Sequence, residues 1–458
     1  MMAAAKGDFS KGKVSSLILR LGLPIMLAEL VHVLYNIVDR MYIGHMEGTT
    51  GTQALTGLGV CFPLITLIAA FANLCNTGGA TLFTIARGQG DDERAGRILG
   101  TAFTFLLLIG GAMTVLLYLT APWTLRLLGG SKTSLPYAMD YFRIYVLGTI
   151  PVLISLGMNP FINAQGFPKV GMVTVILGAA LNIALDPLFI YVLDMGVRGA
   201  ALATVLSQLV SAAWVLRFLT GKKPPVRLCR LLIDGAQLVS VMKLGITGFT
   251  FKVTNSVTQA IVNVMLKAWG GPQSLYIGAM GLINSMREIM SLPINGVTTG
   301  GQNVMSFNYG AKRYRRVSEG IRFVFLGGLT INTLMWALIM LAPQLLVRIF
   351  TRDEALVALT VRCARIYFGA FPFMALQVTG QHTFVALNYP RHALFFSLLR
   401  KIVLVAPLTL LLPGLGLGVE GVFWAEFISQ LCGATACFTT MYRVIWRKMR
   451  NSSEPTEV

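Results

Sequence analysis

The chain has 458 residues, 55% of them hydrophobic and only 12% charged, with a formal net charge of +19. Soluble domains carry roughly 25% charged residues. Half that share, with apolar runs of about twenty residues recurring to the end, excludes an ordinary soluble protein and marks an all-α polytopic membrane protein.

Residues 1–15 form a polar, basic lead with no signal-peptide pattern. About twelve apolar segments follow, at 16–43, 54–83, 98–121, 137–160, 170–192, 199–219, 236–268, 275–304, 320–342, 356–386, 392–413 and 418–444. The basic residues sit in short clusters between these runs, which suits loops facing anionic lipid rather than nucleic acid. They alternate from one connection to the next. One side holds 22, from Lys6, Lys11 and Lys13 through Arg230 to Arg450; the other holds 6. The richer side is expected to be cytoplasmic, with both termini inside the plasma membrane. The six cysteines form no CxxC pair and read as small core residues.

In the first span Asp39, Asn36, Tyr35 and His32 stand at i, i−3, i−4 and i−7 and share a helix face, with Glu29 on an adjoining one. In the fifth, Asn182 and Asp186 are four apart, ahead of Pro187, which removes a helix donor and frees a carbonyl one turn back. A carboxylate, an amide and a carbonyl make a hard-oxygen site, suited to H⁺ or Na⁺. The basic stretch 221–235 links two halves, 16–220 and 236–446, and 447–458 is a cytoplasmic tail. Beyond the linker lie Lys252, Asn255 and Gln259 on one span, Arg287 and Glu288 on the next, and Gln377 further on. Arg400 and Lys401 follow, then Glu426. A buried Arg or Lys needs an acid partner, and Glu288 and Glu426 are the acids on hand; the pairing stays open. Lys252, Asn255, Gln259, Arg287, Glu288 and Gln377 are candidates to line a substrate cavity, with Tyr35, Glu29 and His32 in the first half.

The halves repeat. "GVRGAALATVLSQ" at 196–208 lines up with "GVEGVFWAEFISQ" at 418–430, an offset of 418 − 196 = 222. "FRIY" and "ARIY", and Pro122 and Pro343, recur at nearly the same offset. Six spans per copy means parallel repeats, an arrangement used for alternating access. The acids are not repeated: Ile261 and Val262 stand where Asp39 would fall, and Ala406 opposite Asp186. Ion coupling is therefore expected in the first half.

The segments "LYNIVDRMYIG" at 34–44, "LNIALDPLFIY" at 181–191 and "QNVMSFNYGAKRYRRV" at 302–317, with the repeated blocks, resemble the multidrug and toxic compound extrusion family. The resemblance implies two six-helix lobes around a V-shaped cavity and export of organic, often cationic, compounds in exchange for H⁺ or Na⁺. It implies a cation site at Asp39, Asn182 and Asp186, joined by Asn159. Where some relatives carry a further acid on the seventh helix, this chain has Phe251 and Lys252. No phosphate-binding loop appears, so neither ATP nor another cofactor is expected beyond the coupling ion. A monomer acting on a small-molecule substrate in the bilayer is expected, and no enzyme. The alternatives are a lipid-linked precursor flippase of related fold, whose pyrophosphate the basic residues would bind, and a membrane-embedded transferase.

Overall fold

A computed structural model describes residues 8–46, 50–229, 231, 233–270 and 275–451. Lys6, Arg230 and residues 452–458 of the tail lie outside the described residues. Among the described residues all regular structure is helical: twelve rods, with short helical turns such as Pro343–Arg348 between them. The first half has α1 (Val14–Gly44), α2 (50–88), α3 (Asp92–Leu127), α4 (Leu135–Leu147 and Thr149–Ala164), α5 (Pro168–Val192) and α6 (Gly196–Thr220). The second has α7 (Gly235–Gly270), α8 (Leu275–Gly310), α9 (Tyr314–Leu341), α10 (Glu354–Tyr367 and Phe371–Ala386), α11 (Pro390–Leu415) and α12 (421–451).

Among the described residues, seven of these are long and apolar enough to cross a bilayer, and the bent pairs α4 and α10 make nine. α7, α8 and α12 complete the twelve and are more polar, interrupted by Lys252, Arg287 and Glu426. Two rods start earlier than their apolar runs: α3 at Asp92 rather than near 98, α9 at Tyr314 rather than near 320. For α3 the cause is a cap, because the Asp91 carboxylate accepts from the Arg94 N–H at 2.8 Å. The bends also repeat. α4 turns by 58° at Gly148 and α10 by 49° at 368–370, one repeat spacing apart.

The chain packs as two compact units, and they are not the two halves expected from the linker. The first is built on Leu27–Phe249; the second on Phe9–Met26 and the chain from Thr250 onward. The start of α1 thus belongs to the second unit, and the start of α7 to the first. Glycine decides this. In the second unit a Cβ on Gly22 would stand 2.6 Å from the Gly296 carbonyl oxygen, and one on Gly300 2.6 Å from that of Ile18, so α1 and α8 touch backbone to backbone. In the first unit Gly245 of α7 meets the Leu74 carbonyl of α2 in the same way. In lipid such close approach is the main source of helix attraction. The segment before α1 is tied to the second unit as well: Asn308 Nδ2 donates to the Phe9 carbonyl at 3.1 Å and Arg313 to that of Ser10 at 2.9 Å. The "QNVMSFNYGAKRYRRV" segment therefore anchors the N-terminal lead.

Candidate functional site: a buried acid pair and a buried basic cluster

Four rods of the first unit meet around Asp39 and Asp186. α1 supplies Tyr35 and Asp39, α4 Tyr141 and Tyr145, α5 Asn182 and Asp186, and α6 Thr204. Asp186 is fully buried and Asp39 nearly so. The two carboxyl groups contact each other at hydrogen-bonding range, with Tyr35 within electrostatic reach of both. Asn182 Nδ2 donates to Asp186 Oδ1 at 3.2 Å and reaches Thr204 Oγ1 at 3.5 Å. Tyr141 lies close to Thr204, and its ring stacks on Tyr145 with centroids 5.8 Å apart. At one end the Tyr191 hydroxyl donates to the Tyr42 carbonyl at 2.6 Å, pinning α5 to α1. α5 passes through Pro187 and widens into a π-helical stretch, Leu188–Val192.

Three oxygens here are buried and receive no donor: Asp39 Oδ1, Asn182 Oδ1 and Asp186 Oδ2. Two like charges 4 Å apart in a protein setting repel by about 4 kcal/mol. Two carboxyl groups in contact are therefore stable only with a proton or a cation held between them. Arg40 acts on Asp39 through space but makes no ion pair with it; its guanidinium stands over the Phe62 ring, 5.8 Å from its centroid.

Of the residues expected here, Asp39, Asn182, Asp186 and Tyr35 come together. Asn36 does not: its amide folds back on its own helix, donating to the His32 carbonyl at 2.7 Å and lying 3.2 Å from the His32 ring. His32 is exposed and packs edge-on against Tyr35, while Glu29 is half-buried a turn away. Asn159 is also elsewhere. It donates to the Gly171 carbonyl at 3.2 Å, near the far end of α5 and roughly 16 Å along the helix from Asn182. Asn159→Ala is therefore expected to cost about 1 kcal/mol and to leave the ion dependence of transport unchanged. Thermal unfolding and an ion titration of transport check both. Tyr141, Tyr145 and Thr204 were not singled out in the sequence. The one signal for Thr204 is its place in the repeated block, opposite Glu426.

The second unit holds a different cluster. Glu426 Oε1 lies 3.0 Å from Arg400 Nη1, and Lys401 Nζ is 3.4 Å from both Glu426 oxygens. Arg400 also donates to Gln430 Oε1, and Arg287 lies within electrostatic reach of Tyr367. The stretch Leu399–Val405 is π-helical, which reduces the turn between successive residues and brings Arg400 and Lys401 to one acid. Asn255, Gln259 and Arg287 line a cavity beside this cluster. Lys252 and Glu288 do not; both are exposed. Gln377 is turned to Gln381, donating to its Oε1 at 3.1 Å. Periodicity places these three on polar helix faces, but those faces do not meet at the cavity.

Residues 24–188 and 250–411 each match the MatE family, so the chain belongs to it, once in each half. The multidrug export protein MepA of Staphylococcus haemolyticus (strain JCSC1435) is 24% identical over 444 residues, 94% of each chain. MepA of Staphylococcus aureus (strain NCTC 8325) is 23% identical over 462 residues, 98% of each. The fold is shared with an outward-facing multidrug resistance MATE family transporter of the MOP superfamily, at TM-score 0.90 and 20% identity, over 99% of this chain and 100% of that one. A MATE protein solved in complex with MaL6 also has TM-score 0.90 at 20% identity, over 98% of this chain and 100% of that one.

Proposed function

We propose that the protein is a secondary active antiporter that exports small organic compounds in exchange for H⁺ or Na⁺. It is a multi-pass plasma-membrane protein with cytoplasmic termini, acting as a monomer without ATP. The observation that carries this is the Asp39–Asp186 carboxyl pair, buried with donor-less oxygens among membrane-spanning helices. Such acids are costly in a bilayer and mark ion pathways. The names of the relatives, as multidrug export proteins, agree with it.

The mechanism follows from charge. A proton or Na⁺ entering between Asp39 and Asp186 removes their repulsion and lets α1 and α5 close; its departure on the other side restores it. The ion drives the cycle only if its affinity differs between the two states. The test is efflux from proteoliposomes loaded with ethidium, a cation, or carboxyfluorescein, an anion. An imposed pH gradient is compared with an imposed Na⁺ gradient. One gradient is expected to raise efflux of at least one dye by about tenfold over vesicles without a gradient, the effect of roughly 1.4 kcal/mol. Efflux indifferent to both would refute antiport.

A further inference from the structure

The two repeats set clusters of opposite charge beside an equivalent position. Thr204 and Glu426 hold the same place in the repeated block. Thr204 stands beside Asn182, which donates to Asp186 of the acid pair, and around Glu426 stand Arg287, Arg400 and Lys401. Arg400 makes the closer pair with Glu426, and its side chain is turned to that acid and to Gln430 rather than into the cavity. Lys401 and Arg287 face the cavity, whose other polar walls are Asn255, Thr258, Gln259, Tyr367 and the acid Glu426. One carboxylate is shared between them and Arg400, while Glu288, which also acts on Arg287, is exposed. Lys401 is 4% exposed and sits mid-way along α11, a rod apolar enough to cross the membrane. Surplus cations in such a place call for a counter-anion. Gln430 Nε2, buried beside them, is a further donor with no acceptor. The cavity now measures about 30 Å³, room for one or two waters or the head of a ligand.

We propose that this cavity binds the carboxylate or phosphate group of an organic anion or zwitterion, gripped by Lys401 and Arg287 and aided by the amides of Asn255 and Gln259. The ligand's anion replaces Glu426 as counter-ion of Lys401, and Glu426 stays on Arg400. That the ligand is cargo rests on the export reading above. Binding itself needs no gradient, so the two stand or fall separately.

The test uses the full chain in phosphatidylcholine nanodiscs and three radiolabelled probes of like size: benzoate, phenyl phosphate and benzylammonium. The two anions are expected to bind and to compete with each other, and benzylammonium not to compete. Lys401→Gln and Arg287→Gln should each weaken benzoate by about tenfold or more, as loss of a charged hydrogen bond does. Glu426→Gln should tighten it, because the competing anion is gone. Binding of neither anion, competition by benzylammonium, or unchanged affinity in both cation variants overturns the proposal. If the cation variants fail to fold, Glu426→Gln decides: unchanged or weaker benzoate binding overturns it. Adding phosphatidylglycerol to the discs separates free substrate from lipid. Unchanged benzoate affinity supports the substrate assignment; competition would make the occupant a lipid headgroup and overturn that assignment.

Discussion

Asp186→Asn is expected to abolish gradient-driven export, a fall of roughly a hundredfold or more, while leaving the folded protein at least as stable as before. Asparagine keeps the shape and can still accept from Asn182, whose amide lies 3.2 Å from Asp186 Oδ1. What it removes is one of two carboxyl groups that only a proton or cation can hold together. Asp39→Asn should have the same effect, because the acids act as one pair. Efflux under the effective gradient and thermal unfolding of the purified variant measure both halves of the expectation. Normal gradient-driven efflux by Asp186→Asn, or an unfolded protein, would remove Asp186 from the coupling role.

The second large effect is expected at the helix crossings. A Cβ on Gly245 would be driven into the Leu74 carbonyl, and the obstacle is backbone, which cannot swing aside as a side chain can. Gly245→Val should cost about 3 kcal/mol by overpacking. Gly22→Val should do the same in the second unit, where the Gly296 carbonyl oxygen is 2.6 Å from the added carbon. Gly281→Ala is the control, since an added Cβ there meets nothing within 4 Å. It should be neutral or raise stability by roughly 0.5–1 kcal/mol through helix entropy. Thermal unfolding in detergent compares the three. A Gly245→Val protein as stable as Gly281→Ala would mean that α7 does not lie on α2 as described.

Much of the first site was legible before folding. Asn182 and Asp186 stand four apart on an apolar helix, and one helix turn is enough to place them together. Asp39 was also visible as a costly acid. Its neighbours on the same face misled: Asn36 shares that face by spacing, yet its short side chain satisfies itself on the His32 carbonyl. Asn159 was drawn in by resemblance, but it bonds to Gly171 at the other end of α5. In the second unit the acids Glu288 and Glu426 were equally eligible partners for the basic residues. Only the packed helices put Glu426 between Arg400 and Lys401 and left Glu288 exposed.

The sequence by itself determined the twelve rods, the duplication and the asymmetry of charge between its copies. Each is a one-dimensional property: run length, offset and residue type. It did not determine where the units divide. The basic linker suggested a cut near residue 221, whereas the chain divides within α7 and again within α1. That division depends on which glycine faces touch, and helix periodicity says which residues share a face without saying what the face meets. The tertiary structure supplied the meeting: Tyr141, Tyr145 and Thr204 around two acids in one unit, and three cations around one acid in the other. In a low-dielectric setting that choice of neighbour decides whether a buried charge is a liability or a binding site.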